Sequence, residues 1–205
     1  MQNNLYLSLL VVLLLASLSD LFIPFFVGKH YPGYSHVKHT ISTLGTCNSP
    51  VQKIQSTTLI VVGILFVIFA LGQQYLFSQQ NWASNMYVIG IILFGVGCIF
   101  AGIFPEDIKS IPETLSGKIH GIASGMGFLF LILCPLWAIW IQDFGTSKLL
   151  NIIIFILGLL TFILFLTSEN KDTGILAYTG LYQRLNLIAL YSALIINFVN
   201  MKNIL

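Results

Sequence analysis

Seven side chains stand out as chemically capable in a chain made mostly of apolar segments: Asp20, His36, His39, Ser42, Asp107, His120 and Arg184. Imidazole is the side chain that gains and loses a proton near neutral pH, so His120 or His36 is a candidate general base or metal ligand. A carboxylate, Asp20 or Asp107, would orient that ring. Ser42 is a candidate nucleophile, because a hydroxyl beside such a base becomes reactive. Arg184 offers a planar fork suited to a phosphate, with His39 and Asp107 as further substrate contacts.

The pair His36-Val-Lys-His39 is spaced i, i+3 and would share one face of a helix. Two imidazoles make an incomplete zinc site, so zinc would need a third ligand from His120, Asp107 or Asp20. Each residue also has a plainer reading. Interfacial histidines can serve lipid headgroups, Asp20 can fix helix packing through a structural pair, and Arg184 can snorkel to headgroups. The chain has no His-Glu-x-x-His, no Gly-x-Ser-x-Gly and no phosphate-binding loop. These residues therefore support two classes of function: a hydrolase or transferase acting on lipid, or a non-enzymatic transporter, proton-coupled protein or lipid sensor.

The elements that must position these residues are membrane helices. Of 205 residues, 57% are hydrophobic and 8% charged, far from the roughly one quarter charged that soluble proteins carry. Spanning the hydrocarbon takes roughly 20 apolar residues. Six stretches qualify, at about 5 to 27, 53 to 77, 85 to 104, 118 to 142, 148 to 167 and 182 to 200. The expectation is an all-α bundle of six transmembrane helices forming one integral membrane domain over residues 1 to 205. Membrane lipids are the expected partners. A net charge of +2 without a basic cluster argues against nucleic acid. Cys47, Cys98 and Cys134 are odd in number and lack metal-type spacing, so they read as small apolar residues plus one loop thiol.

Asp20 lies about 13 Å of helical rise from Lys29, and an intramembrane carboxylate marks the bundle interior or a wet cavity. The loop from Gly28 to Asn48 is long, and Tyr31, Tyr34, Val37, Ile41 and Leu44 recur at the steps of a short interfacial helix. Ser49-Pro50-Val51-Gln52 reads as a capping box opening the second helix, and Ser110 to Glu113 as another before the fourth. Glycines at 117, 121 and 125, like Gly95, Cys98 and Gly102, form stripes that permit close helix approach. With six helices, the loops bearing the reactive residues share one side. That side holds seven of the lysines and arginine (29, 38, 53, 109, 118, 171, 184) against two (148, 202), which places it in the cytoplasm of a cell membrane.

The run Ile41-Ser-x-Leu-Gly45 after a His-bearing loop, the Ser49-Pro50 helix opening, Gly102-Ile-Phe104-Pro105 followed by His120, and Gly180-Leu-Tyr-Gln-Arg184 together resemble domain of unknown function 998. The resemblance covers nearly the whole chain and implies a small six-helix prokaryotic membrane protein, with no reaction attached. A more distant likeness is to the Frag/DRAM/Sfk-type membrane proteins, whose first long loop carries a similar phrase, Ile-Ser-x-x-Gly-x-x-x-Pro, and some of which take part in lipid remodelling.

Overall fold

The computed structural model describes residues 2–77, 81–108, 114–141, 146–168 and 174–201. Six α-helices run through it: α1 Gln2–Val27, α2 Gln52–Leu76, α3 Trp82–Ile103, α4 Leu115–Ala138, α5 Lys148–Ser168 and α6 Thr179–Asn200. Each packs on its neighbours in the chain, and α6 closes the ring against α1. Tyr6 of α1 stacks on Phe198 of α6 with ring centroids 5.0 Å apart. The core is aromatic and aliphatic. Phe66, Phe69, Phe94, Tyr87 and Tyr191 fill its centre, while one face of each helix keeps large apolar side chains on the outside. An outer apolar face is what a lipid solvent asks for, since hydrocarbon does not drive those side chains inward.

Five of the helices, α1 to α5, are long and apolar enough to cross a membrane. The sixth has the length, about 33 Å of rise for its 22 residues, but not the same apolarity. Its sequence is interrupted by Gln183, Asn186 and Asn197, all buried. They face the bundle. Asn186 donates to the Gly158 carbonyl at 2.6 Å, and Asn197 exchanges amide hydrogen bonds with Asn151 of α5. A helix that supplies polar groups to the interior loses hydropathy without losing its place in the bundle.

The glycine stripes divide. On α3, a Cβ at Gly95 would strike the Gly63 carbonyl, and one at Gly102 the Ser56 carbonyl, so these two let α2 and α3 approach backbone to backbone. On α4 the expectation fails at two of its three positions. A Cβ at Gly121 or Gly125 would meet nothing within 4 Å, and only Gly117 is crowded, by the Asp107 carboxylate.

The first loop also departs from expectation. Instead of one amphipathic helix it forms turns and two 3-10 segments, Gly28–His30 and Ser42–Gly45. The second helix opens at Gln52 with Val51 as N-cap and no side-chain cap. Ser49 does not cap it, because its hydroxyl accepts from the Val51 amide at 3.2 Å, and Pro50 stays in the turn before the helix. The capping box expected at Ser110 to Glu113 lies outside the described residues. Thr114 caps α4 in its place, accepting from the Gly117 amide at 3.2 Å.

Candidate functional site

The polar residues at the loop-bearing end of the bundle fall into two groups. In the first, the opening of α6 grips the first loop. Arg184 donates from Nη1 to the carbonyls of His36 at 2.7 Å, His39 at 3.1 Å and Gly180 at 2.9 Å. Its Nη2 donates to the Tyr34 hydroxyl at 2.7 Å. One residue type explains the fit: guanidinium spreads its N–H groups in a fixed fork, which an ammonium cannot do. The Leu181 amide donates to the Val37 carbonyl at 2.9 Å, and Gln183 Oε1 accepts from the Ile41 amide at 2.6 Å. Gly180 makes the approach feasible, since any Cβ there would collide with the His39 and His36 carbonyls.

His36 belongs to this clamp. Its ring stacks on Phe25 at 4.8 Å and meets Tyr34 edge-on at 5.1 Å. Burial, then the positive charges of Arg184 and Lys29, hold its pKa below the ordinary value, against a smaller opposing effect of the Phe25 backbone. His39 accepts from the Ser35 amide through Nδ1 at 2.9 Å, which turns that nitrogen toward its own loop.

The second group surrounds a cleft of about 280 Å³ between the first loop, the α3–α4 connection, α4 and α5. Thr40, Ser42, Glu106, Asp107, His120, Ser124 and Gln183 supply its polar wall, and Phe128, Phe165 and Leu166 its apolar one. His120 is buried, with Nδ1 at 3.1 Å from the Ala101 carbonyl and 2.9 Å from that of Phe104. Carbonyls only accept, so Nδ1 carries the proton and Nε2 bears a lone pair. That Nε2 has no hydrogen-bond partner among the described residues. Ser42 lines the cleft as well.

Asp107 serves a different end. It accepts from the Thr114 amide at 2.6 Å and the Thr114 hydroxyl at 2.7 Å, which fixes the residue that caps α4. Ser124 donates back to the His120 carbonyl at 2.6 Å. Asp20 lies below the cleft, 3% exposed, in the wall of a smaller cavity of about 40 Å³. Tyr191 donates to its Oδ2 at 2.6 Å; Oδ1 and the hydroxyl of Ser17, one turn earlier, have no partner among the described residues.

The structure thus brings together Ser42, Asp107 and His120 with Asp20 beneath, and sets His36, His39 and Arg184 apart. Zinc ligation by His36, His39 and His120 is not supported: among the described residues no three His, Cys, Asp or Glu side chains are grouped to hold a metal ion. The reason is that His36 and His39 do not share a helical face and are held by the clamp, while His120 points its Nδ1 at α3. The ring of His120 is oriented by two carbonyls rather than by Asp20 or Asp107. Arg184 is occupied by backbone oxygens and does not line the cleft.

Sequence reasoning named Tyr34 and Gln183 only as parts of a helical pattern and a motif, did not single out Tyr191, and missed the role of all three. Tyr34, Gln183 and Tyr191 are amphipathic residues whose role depends on partners 142 to 171 positions away. Only the position of Gln183 beside Arg184 carried a signal.

A family model described as "Protein of unknown function (DUF998)" matches residues 14–199. The Frag/DRAM/Sfk likeness is not confirmed by that match. No curated protein and no solved structure matches the chain.

Proposed function

The chain belongs to the DUF998 family, and from that premise we propose that it is a membrane enzyme that hydrolyses an ester or phosphoester at the polar end of a lipid-like amphiphile. The single observation that carries this reading is the His120 ring in a residue that lines the cleft, held by two carbonyls in the tautomer that leaves Nε2 a lone pair with no hydrogen-bond partner among the described residues. The cleft volume suits a headgroup rather than a whole lipid. Phe128, Phe165 and Leu166 give the cleft an apolar side on the two helices, α4 and α5, that also expose apolar residues such as Ile122 and Ile163, and an acyl chain would lie there.

In the proposed step, His120 Nε2 takes a proton from a cleft water as the water oxygen attacks the carbonyl carbon or phosphorus. The ester bond to the leaving oxygen breaks, and the imidazolium returns its proton to that oxygen. Water is the nucleophile in this scheme because Ser42 makes no hydrogen bond to His120 that would activate its hydroxyl. Ser42, with Thr40, then orients the polar end. We place the cleft on the cytoplasmic side of the cell membrane, on the distribution of lysine and arginine.

The test is incubation of the purified chain in nanodiscs of mixed phospholipids and glycolipids, with products followed by mass spectrometry. Turnover that falls about 10²- to 10⁴-fold in His120→Gln, the usual contribution of a general base, is the expected result. Unchanged lipids, or equal turnover in the variant, would overturn it. Lipid that co-purifies unchanged would instead favour the non-enzymatic reading, a lipid-binding or proton-coupled protein. Sidedness is tested separately: Cys47 is the exposed thiol of the first loop, while Cys98 and Cys134 are buried. A membrane-impermeant maleimide should label Cys47 only after cells are opened.

A further inference from the structure

We propose that Asp20 is an internal proton acceptor, connected to the cleft by water held between Ser42, Ser124 and Gln183. The cavity at Asp20 and the cleft share four wall residues, Ser42, Ser124, Phe128 and Gln183. Three of the four are polar. The wall that the two spaces have in common therefore carries two serines and a glutamine, while Ile41, Leu59, Phe94 and Leu187 are among the apolar residues around Asp20.

The cavity, at about 40 Å³, exceeds the roughly 10–15 Å³ that one water needs. A buried water also needs two to four polar partners, and Asp20 Oδ1, the Ser42 hydroxyl and the Gln183 amide supply them. Asp20 Oδ1 is buried without a protein partner, a condition that costs free energy unless water or a proton relieves it. Tyr191 covers Oδ2 and is itself stacked on Phe66 at 5.3 Å, with Phe94 at 6.0 Å. The titratable and charged groups that act on Asp20 among the described residues are Tyr191 and Arg184 from α6 and Cys98 from α3. Among the described residues no lysine or arginine forms an ion pair with Asp20, whose side-chain hydrogen bond comes from Tyr191, so a proton is the ligand its chemistry fits.

In the transfer itself a protonated water gives its proton to Oδ1 and remains as water, and the reverse step returns the proton to the cleft. No oxidant or co-reactant is involved. Asp20 then serves as a second proton-holding group whose exchange with the bath runs through the cleft, whether or not the cleft is catalytic.

The test uses the full chain in nanodiscs with isotope-labelled aspartate, followed by infrared difference spectroscopy. Tyr191→Phe removes the hydrogen bond to Oδ2 and identifies the Asp20 band by its shift. The expected result is a band that responds to bath pH and exchanges deuterium readily in the wild type. Replacing both serines of the shared wall, in Ser42→Val with Ser124→Val, should slow that exchange about tenfold by removing two of the polar groups that hold water between the two spaces. A band in the wild type that neither exchanges nor responds to pH overturns the proposal. So does exchange in the double variant at the wild-type rate.

Discussion

The Arg184 clamp and the His120 cleft draw on the same first loop at the same end of the bundle, yet their polar groups stand in opposite condition. In the clamp nearly every polar atom is matched: four carbonyl or hydroxyl oxygens sit on one guanidinium, and the Leu181 amide and Gln183 add two more ties. In the cleft, His120 Nε2 is unmatched, as is Asp20 Oδ1 below it. Buried polar groups in folded proteins are ordinarily satisfied, and an unsatisfied one calls for a reason. The difference separates a fastening from a place where something else binds. It also shows why residue type alone misassigns: arginine suggested a ligand and aspartate a catalytic partner, but Arg184 and Asp107 are both consumed by the backbone they organise.

Substitutions sharpen that contrast. The largest effect on stability should come from Arg184→Ala, which strands several loop oxygens; a loss of about 3 kcal/mol, set by hydrogen bonds to a charged donor, would be seen as a lower unfolding temperature in detergent and faster proteolysis of the first loop. Arg184→Lys should recover little of it, because one ammonium cannot reach Tyr34 and the carbonyls together. If Arg184→Ala unfolds at the wild-type temperature, the clamp is not a fastening. Asp107→Ala should cost about 1–2 kcal/mol, the usual worth of a helix-start cap, visible as a smaller drop in the same melt.

The opposite sign is expected across the cleft. Gly121→Ala and Gly125→Ala each face open space, and alanine in a helix interior is favoured over glycine by about 0.5–1 kcal/mol. Both variants should therefore melt higher while binding or turning over lipid less well. A destabilised Gly121→Ala would mean that another helix occupies that space.

The smallest effect is the pH dependence of the clamp. The pKa of His36 is lower in the folded chain than its ordinary 6.5, so the unfolded chain binds more protons as the medium is acidified. Its contribution to stability is complete above that ordinary value and declines as pH falls below it toward the lowered folded value. His36→Gln should flatten that part of the stability profile, and first-loop proteolysis followed with pH would register it.

Much of the fold was legible in the residues because long apolar runs have few places to go but a bilayer. The exception, α6, shows the limit: its polar residues lower its hydropathy for reasons that only the facing helices reveal. Small-residue spacing was equally ambiguous. The same pattern on α3 marks tight packing at Gly95 and on α4 the open wall at Gly121, since periodicity tells which residues share a face and not what that face meets. The gathering of Ser42, Asp107 and His120 at one end followed from helix parity. Arg184's partners were invisible because they are main-chain oxygens, which every residue possesses, and the i, i+3 reading of His36 and His39 assumed a helix where the chain forms turns.

One consequence of the clamp concerns time. The groups that hold the first loop lie 148 and 145 residues further along the chain, and the hydroxyl that meets Asp20 lies 171 residues from it. A ribosome delivers residues in order, at about 5–20 per second, so the loop and the carboxylate reach the membrane many seconds before α6 does. Through that interval the first loop lacks the partners that shape it. The wall that the first loop and Gln183 give the cleft is thus the last part of it to come into being, and a nascent chain halted before its sixth helix would hold His120 on its two carbonyls without that wall.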